Sequence, residues 1–64
     1  MTIEEILDKL NKKGISAVII LKANEGYSAI PVYRPEYSSR YLLRNHFSGE
    51  TILEALNKLR GFLP

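Results

Sequence analysis

Residues 15–33, ISAVIILKANEGYSAIPVY, decide the fold. Ile15 to Ala23 is β-branched and aliphatic, the composition of a pleated strand that is at least half buried. Asn24-Glu25-Gly26 breaks the run, and glycine takes the positive φ that a short hairpin with a bulge requires. With those three residues as the loop, Ala23 faces Tyr27, Leu21 faces Ala29 and Ala17 faces Tyr33. On the opposite face Ile20 meets Ile30 and Val18 meets Val32. Both faces are then apolar near the middle of the hairpin, where a sheet wetted on one side would alternate. Something must cover each. Pro31 has no N–H to give to a ladder, so the second strand is expected to be an edge there, or bulged.

Helices are expected on either side of this hairpin. In Thr2 to Lys13, Ile3, Ile6, Leu7 and Leu10 follow the i, i+3, i+4, i+7 spacing of one apolar stripe. Thr2 and Glu5 have the spacing of a capping box. Glu4 and Glu5 lie at the positive end of the helix dipole and Lys12 and Lys13 at the negative end, with Gly14 as the C-cap. A second helix is expected from about Gly49 to Arg60, with Ile52, Leu53, Leu56 and Leu59 as its stripe and Ala55 beside them. Ser48, or Thr51 paired with Glu54, starts it, and Gly61 ends it. Phe62, Leu63 and Pro64 form an apolar tail expected to fold onto the core. The likeness of TIEEILDKL to TILEALNKL is read as shared capping and amphipathic spacing rather than duplication. Between hairpin and second helix, RPEYSSRYLLRNHF is read as a loop to about Ser39 and a third strand from Arg40 to His46. The alternative, a helix with Pro35 in its first turn, is weakened by Ser38-Ser39. The expected fold is thus a small single α+β domain of order α-β-β-β-α, with two helices on one face of an antiparallel three-stranded sheet.

Sixty-four residues place the chain near the lower limit for folding on a single core. The apolar share of 45% and charged share of 25% are those of a globular protein. No cysteine is present to supply a disulfide, which fits a reducing compartment. No apolar run approaches the roughly 20 residues of a membrane helix. The acidic start Met-Thr-Ile-Glu-Glu is unlike a signal peptide, so a cytoplasmic protein is expected. A core this small under a doubly apolar sheet points to a homodimer through the sheet, with Val18, Ile20, Ile30 and Val32 as its interface.

The sequence has no Gly-rich phosphate loop, no nucleophile elbow and no cysteines or histidines at metal spacing. His46, the only histidine, has no activating partner beside it, and Ser38 and Ser39 have no neighbouring base. No catalytic, cofactor or metal residue is therefore assigned, and the chain is read as a non-enzyme. The surplus lies in Tyr33, Arg34, Tyr37, Arg40, Tyr41 and Arg44, with Glu36 as the single acid among them. Tyrosine and arginine are enriched at binding hot spots, and the same mixture stacks on bases and pairs with phosphates. Against this stands a structural reading in which the tyrosines cap the core and the arginines are solvated.

Gly26-Tyr27-Ser28-Ala29, the following Pro31, and Ser48-Gly49-Glu50-Thr51 opening Glu54-Ala55-Leu56-Asn57-Lys58-Leu59 resemble the HicB-type antitoxin domain. That family is a truncated ribonuclease-H-like unit with a Gly-Tyr-x-Ala strand and a Gly-Asp/Glu-Thr-x-x-Glu-Ala-Leu helix start. The likeness runs from Val18 to Phe62 and implies a non-catalytic dimer that binds and blocks a partner protein. The chain departs from the family in its N-terminal helix, in a longer link before the last helix, and in having no DNA-binding segment after it. The family's proline-rich loop is not matched by RPEYSSRY. The order α-β-β-β-α also resembles a double-stranded-RNA-binding domain, which places lysines at the start of its last helix. Here that position is Glu50-Thr51-Ile52-Leu53-Glu54, acidic and apolar. Binding of a protein partner is accordingly the expected function, and nucleic-acid binding through the Arg/Tyr segment is the alternative.

Overall fold

The computed structural model describes residues 1–38 and 46–63. Helix α1 spans Ile3–Lys12, strands β1 and β2 span Ile15–Ala23 and Gly26–Tyr33, and a single helical turn, α2, spans Pro35–Ser38. Strand β3, Phe47–Gly49, and helix α3, Ile52–Phe62, complete the domain. The sheet is antiparallel with order β1-β2-β3. Helix α1 lies over β1, and α3 over β2 and β3. The expected α-β-β-β-α architecture is the one observed.

The caps follow the chemistry of the sequence. At α1 the Glu5 N–H donates to the Thr2 hydroxyl at 3.1 Å and the Thr2 N–H donates to Glu5 Oε1 at 3.0 Å, a closed capping box. Thr51 caps α3 in the same way, accepting from the Glu54 N–H at 3.0 Å. The shared Thr is thus the N-cap of both helices, while the Glu side chain closes a capping box only at α1; at α3 the Glu54 carboxylate faces Lys58 instead. Gly14, at φ +96°, turns the chain out of α1. Helix α3 begins at Ile52 rather than Gly49 and carries Gly61 within its last turn, ending at Phe62.

The core consists of Ile6, Leu10, Ile15, Ala29, Ala55, Leu56, Leu59 and Leu63, with Val18, Tyr33, Phe47 and Ile52 packed against it. Ile52, Ala55, Leu56 and Leu59 form the i, i+3, i+4, i+7 stripe of α3. Leu53, assigned to that stripe from the sequence, is one residue around the helix and exposed. In α1 only Ile6 and Leu10 are buried, while Ile3 and Leu7 remain about 40% exposed. The C-terminal tail does reach the core through Leu63, and the Phe62 ring packs on Phe47 at 5.2 Å between centroids.

The hairpin corrects the expected register. Its loop is two residues, Asn24-Glu25, and Ala23 pairs with Gly26, Lys22 with Tyr27, Ile20 with Ala29, Ile19 with Ile30 and Val18 with Pro31. Gly26, at φ +124°, does take the positive-φ position, and no non-glycine residue described has φ above zero. The ladder is regular from Ala17 to Ala23 and is broken by a bulge between Ile15 and Ala17. Strand β2 is central, and its pairing with β3 covers only Tyr27 to Ala29, so Pro31 stands beyond the β3 ladder. Two further expectations change. The segment read as loop opens with the helical turn α2, Pro35 filling the first-turn position that needs no N–H. The third strand comes later than expected, with His46 just before it; Arg40 to Asn45 lie outside the described residues.

Candidate interaction surfaces

The register fixes which side chains share a face, because pairs directly opposite point the same way. Val18 and Ile20 pair with Pro31 and Ala29, and Ala29 is fully buried under the helices. Val18 and Ile20 therefore lie on the helix-covered side. The open side carries Ala17, Ile19 and Leu21 from β1 and Ile30 and Val32 from β2. The four residues expected to share one interface are thus divided, Val18 and Ile20 on one face and Ile30 and Val32 on the other. The correction has one cause: a loop one residue shorter moves every β1 side chain to the opposite face relative to β2. Ile19, Leu21 and Val32 are exposed by 46%, 50% and 38%, side by side on adjacent strands. Such a contiguous apolar patch is the usual mark of a contact surface. Ser28 and Ser48 border it, their hydroxyls 3.3 Å apart.

The Arg/Tyr segment is only partly a surface. Tyr33 packs against the core and its hydroxyl is buried. The Arg34 guanidinium donates to Asn11 Oδ1 at 3.0 Å, the Arg34 backbone N–H donates to the Gly14 carbonyl at 2.9 Å, and Asn11 Nδ2 donates to the Ile15 carbonyl at 3.3 Å. Arg34 thus ties the end of β2 to the α1–β1 junction. Tyr37 belongs to α2, and Arg40, Tyr41 and Arg44 lie outside the described residues. His46 is exposed. Among the described residues no cluster of three or more His, Cys, Asp or Glu is placed to hold a metal ion, and no helix is long and apolar enough to cross a membrane.

Two features were not singled out from the sequence. Lys9 and Lys12 of α1 and Lys13, its C-cap, converge with Arg60 of α3 around an open groove of about 260 Å3. The lysines have i, i+3, i+4 spacing and were legible as one face of α1; that Arg60 joins them depends on how the helices pack. A second groove, of about 310 Å3, runs between α1 and β1 and is lined by Leu7, Asp8, Asn11, Ser16, Ala17 and Val18. At the start of α1 the Glu5 carboxyl is held below the usual carboxylate range, first by the Thr2 backbone N–H and then by the Thr2 hydroxyl. That shift belongs to the cap and not to a reactive site. No protein-family model, curated protein or solved structure matches the chain.

The short segments that carry the HicB resemblance meet in space. Tyr27 pairs with Gly49 and Ser28 with Ser48, and a Cβ on Gly26 would run into the Gly49 carbonyl. A Cβ on Gly49 would fall 2.6 Å from the Ala55 nitrogen and 2.9 Å from Glu54 Cβ. Both glycines are therefore needed for close approach of the backbones, a packing reason for the two motifs to occur together.

Proposed function

We propose that this protein is a non-enzymatic binding module that self-associates through its sheet and holds a protein partner, in the manner of a HicB-like regulator. The observation that carries this reading is the open sheet face, where Ile19, Leu21 and Val32 stay 46%, 50% and 38% exposed. Leaving these groups in water forgoes roughly 25 cal/mol per Å2 of apolar area, a gain that contact with another protein surface recovers. Sedimentation equilibrium across protein concentration tests the self-association. A dimer is expected whose affinity changes little with salt, because apolar burial carries no counterion release. A folded monomer at every concentration would overturn the reading.

A second reading, nucleic-acid binding, is favoured by the groove between Lys9, Lys12, Lys13 and Arg60 rather than by the Arg/Tyr segment. Basic side chains at a helix C-terminus also satisfy the helix dipole, which accounts for the three lysines without a ligand. Anisotropy titrations with labelled duplex RNA and single-stranded DNA distinguish the two. Affinity that falls about ten-fold or more between 50 and 200 mM salt, and that Lys12→Glu abolishes, would favour the nucleic-acid reading.

A further inference from the structure

Strand β1 is one of the two edge strands of the sheet, and its outward backbone edge has no strand beside it among the described residues. Natural edges are blunted by charge, proline, bulges or a covering element. The run Ala17-Val18-Ile19-Ile20-Leu21 carries neither charge nor proline, and the one bulge lies before it, between Ile15 and Ala17. From Ala17 to Ala23 the strand is regular, and the middle residue of that stretch is Ile20.

We propose that β1 pairs antiparallel with β1 of a second copy about a two-fold axis at Ile20, joining two domains into one sheet of order β3-β2-β1-β1-β2-β3. The inference rests on the reading that the protein self-associates through its sheet, and it specifies the edge as the joint. Three features of the helix side favour a second copy over another occupant. Ile20, Leu7 and Ile3 are 36%, 40% and 41% exposed there. Leu7 lines the groove beside β1, and Ile3 lies one turn before it on the same stripe of α1, so edge pairing brings two such stripes together above the paired Ile20 side chains. Charge is complementary as well. Lys22 of one copy comes opposite Val18 of the other, at the groove that Asp8 lines, and the axis repeats this pair. Among the described residues Lys22 makes exposed contacts, to the Ala23 carbonyl at 3.1 Å and over the Tyr27 ring at 4.8 Å, which leave its stem available to reach across. The joint leaves the face bearing Ile19, Leu21 and Val32 uncovered for the protein partner.

The chain has no cysteine, so single-cysteine variants report the geometry directly. Cβ atoms opposite one another on adjacent strands lie about 4.5–5.5 Å apart, close enough to close a disulfide after a slight shift. Mild oxidation of Ile20→Cys is expected to give a covalent dimer, and oxidation of Val32→Cys on the open face and Leu53→Cys on α3 is not. Lys22→Glu is expected to weaken dimerisation by roughly two- to five-fold for each of the two pairs, and the further change Asp8→Lys to restore it. Cross-linking of Val32→Cys without Ile20→Cys would overturn the edge joint while leaving a sheet-mediated dimer, stacked face to face. No cross-linking in any variant, with a monomer in the centrifuge, would overturn both. Equal cross-linking of all three would mark random collision and also refute the joint.

Discussion

Gly26→Ala is the sharpest test of how the hairpin is built. Gly26 holds φ +124°, and an added Cβ meets the carbonyl of Gly49 in the neighbouring strand. The left-handed conformation costs a residue with a Cβ about 1–2 kcal/mol. Overpacking against backbone, which cannot rotate away as a side chain would, adds about 1–3 kcal/mol. Reduced freedom of the unfolded chain returns about 0.4–1 kcal/mol. The net loss is then roughly 1–4.6 kcal/mol, against a total of about 3–10 kcal/mol for a chain of this length. At about 4–8 °C per kcal/mol, the melting temperature should fall by roughly 4–37 °C. Gly61→Ala is the control, since that glycine is exposed, helical and has nothing within 4 Å of an added Cβ. It should raise stability by about 0.5–1 kcal/mol through helix propensity alone. Thermal melts by circular dichroism, at one fixed protein concentration so that self-association contributes equally, measure both. A Gly26→Ala protein melting within about 3 °C of the parent would refute the reasoning, because even a loss of about 1 kcal/mol lowers the melting temperature by about 4 °C.

Exposure on the sheet should separate folding from association. Leu59→Ala, at a fully buried position, is expected to lose about 2–5 kcal/mol in urea unfolding, whereas Leu21→Asp should leave monomer stability within about 1 kcal/mol and remove partner binding. Thr51→Ala removes the α3 cap and should cost about 0.5–2 kcal/mol, read in the same titration. The Glu5 carboxyl titrates below its unfolded value because Thr2 hydrogen-bonds its charged form. Its contribution is therefore complete above the unfolded pKa and is lost as pH falls through the depressed folded value. NMR titration of Glu5 should show the low midpoint, and Thr2→Ala, which removes the hydroxyl but keeps the backbone N–H, should move it only part of the way back; a Glu5 midpoint at the ordinary carboxylate value in the parent protein would refute the assignment.

The parts of the fold legible in the sequence are those set by local chemistry. Thr2 with Glu5 and Thr51 with Glu54 sit three residues apart because a cap needs that spacing, and the structure makes both hydrogen bonds. The stripe of α3 was legible for Ile52, Ala55, Leu56 and Leu59, which follow one helical period. Leu53 was misassigned because hydrophobicity alone does not say which apolar neighbour faces inward. The place of Arg34 was not legible for a different reason. Its composition suits a binding surface, and only the meeting of β2 with the end of α1 turns it toward Asn11 and Gly14. The basic groove shows the same limit, since Lys9, Lys12 and Lys13 share a face by spacing but Arg60 reaches them only through packing.

The hairpin shows how far a single local choice propagates. Asn24-Glu25-Gly26 contains a correct signal, glycine at positive φ, and leaves open whether Gly26 belongs to the loop or to the strand. With Gly26 in the loop, Leu21 shares a face with Ala29, and Val18 and Ile20 join Ile30 and Val32 on the open side. With Gly26 paired to Ala23, Ile20 shares a face with Ala29, and Ile19 and Leu21 turn outward instead. Every β1 residue from 17 to 21 is apolar, so alternation in the sequence cannot choose between the two. The choice is made outside the hairpin, where Gly26 must pass close to Gly49 while Gly49 packs on the first turn of α3. A side chain at either glycine would force the hairpin away from β3 and α3 and remove what selects the register. The same contact therefore determines which residues the protein presents to water, and substitutions at Gly26 or Gly49 should alter binding by exchanging faces as well as by lowering stability.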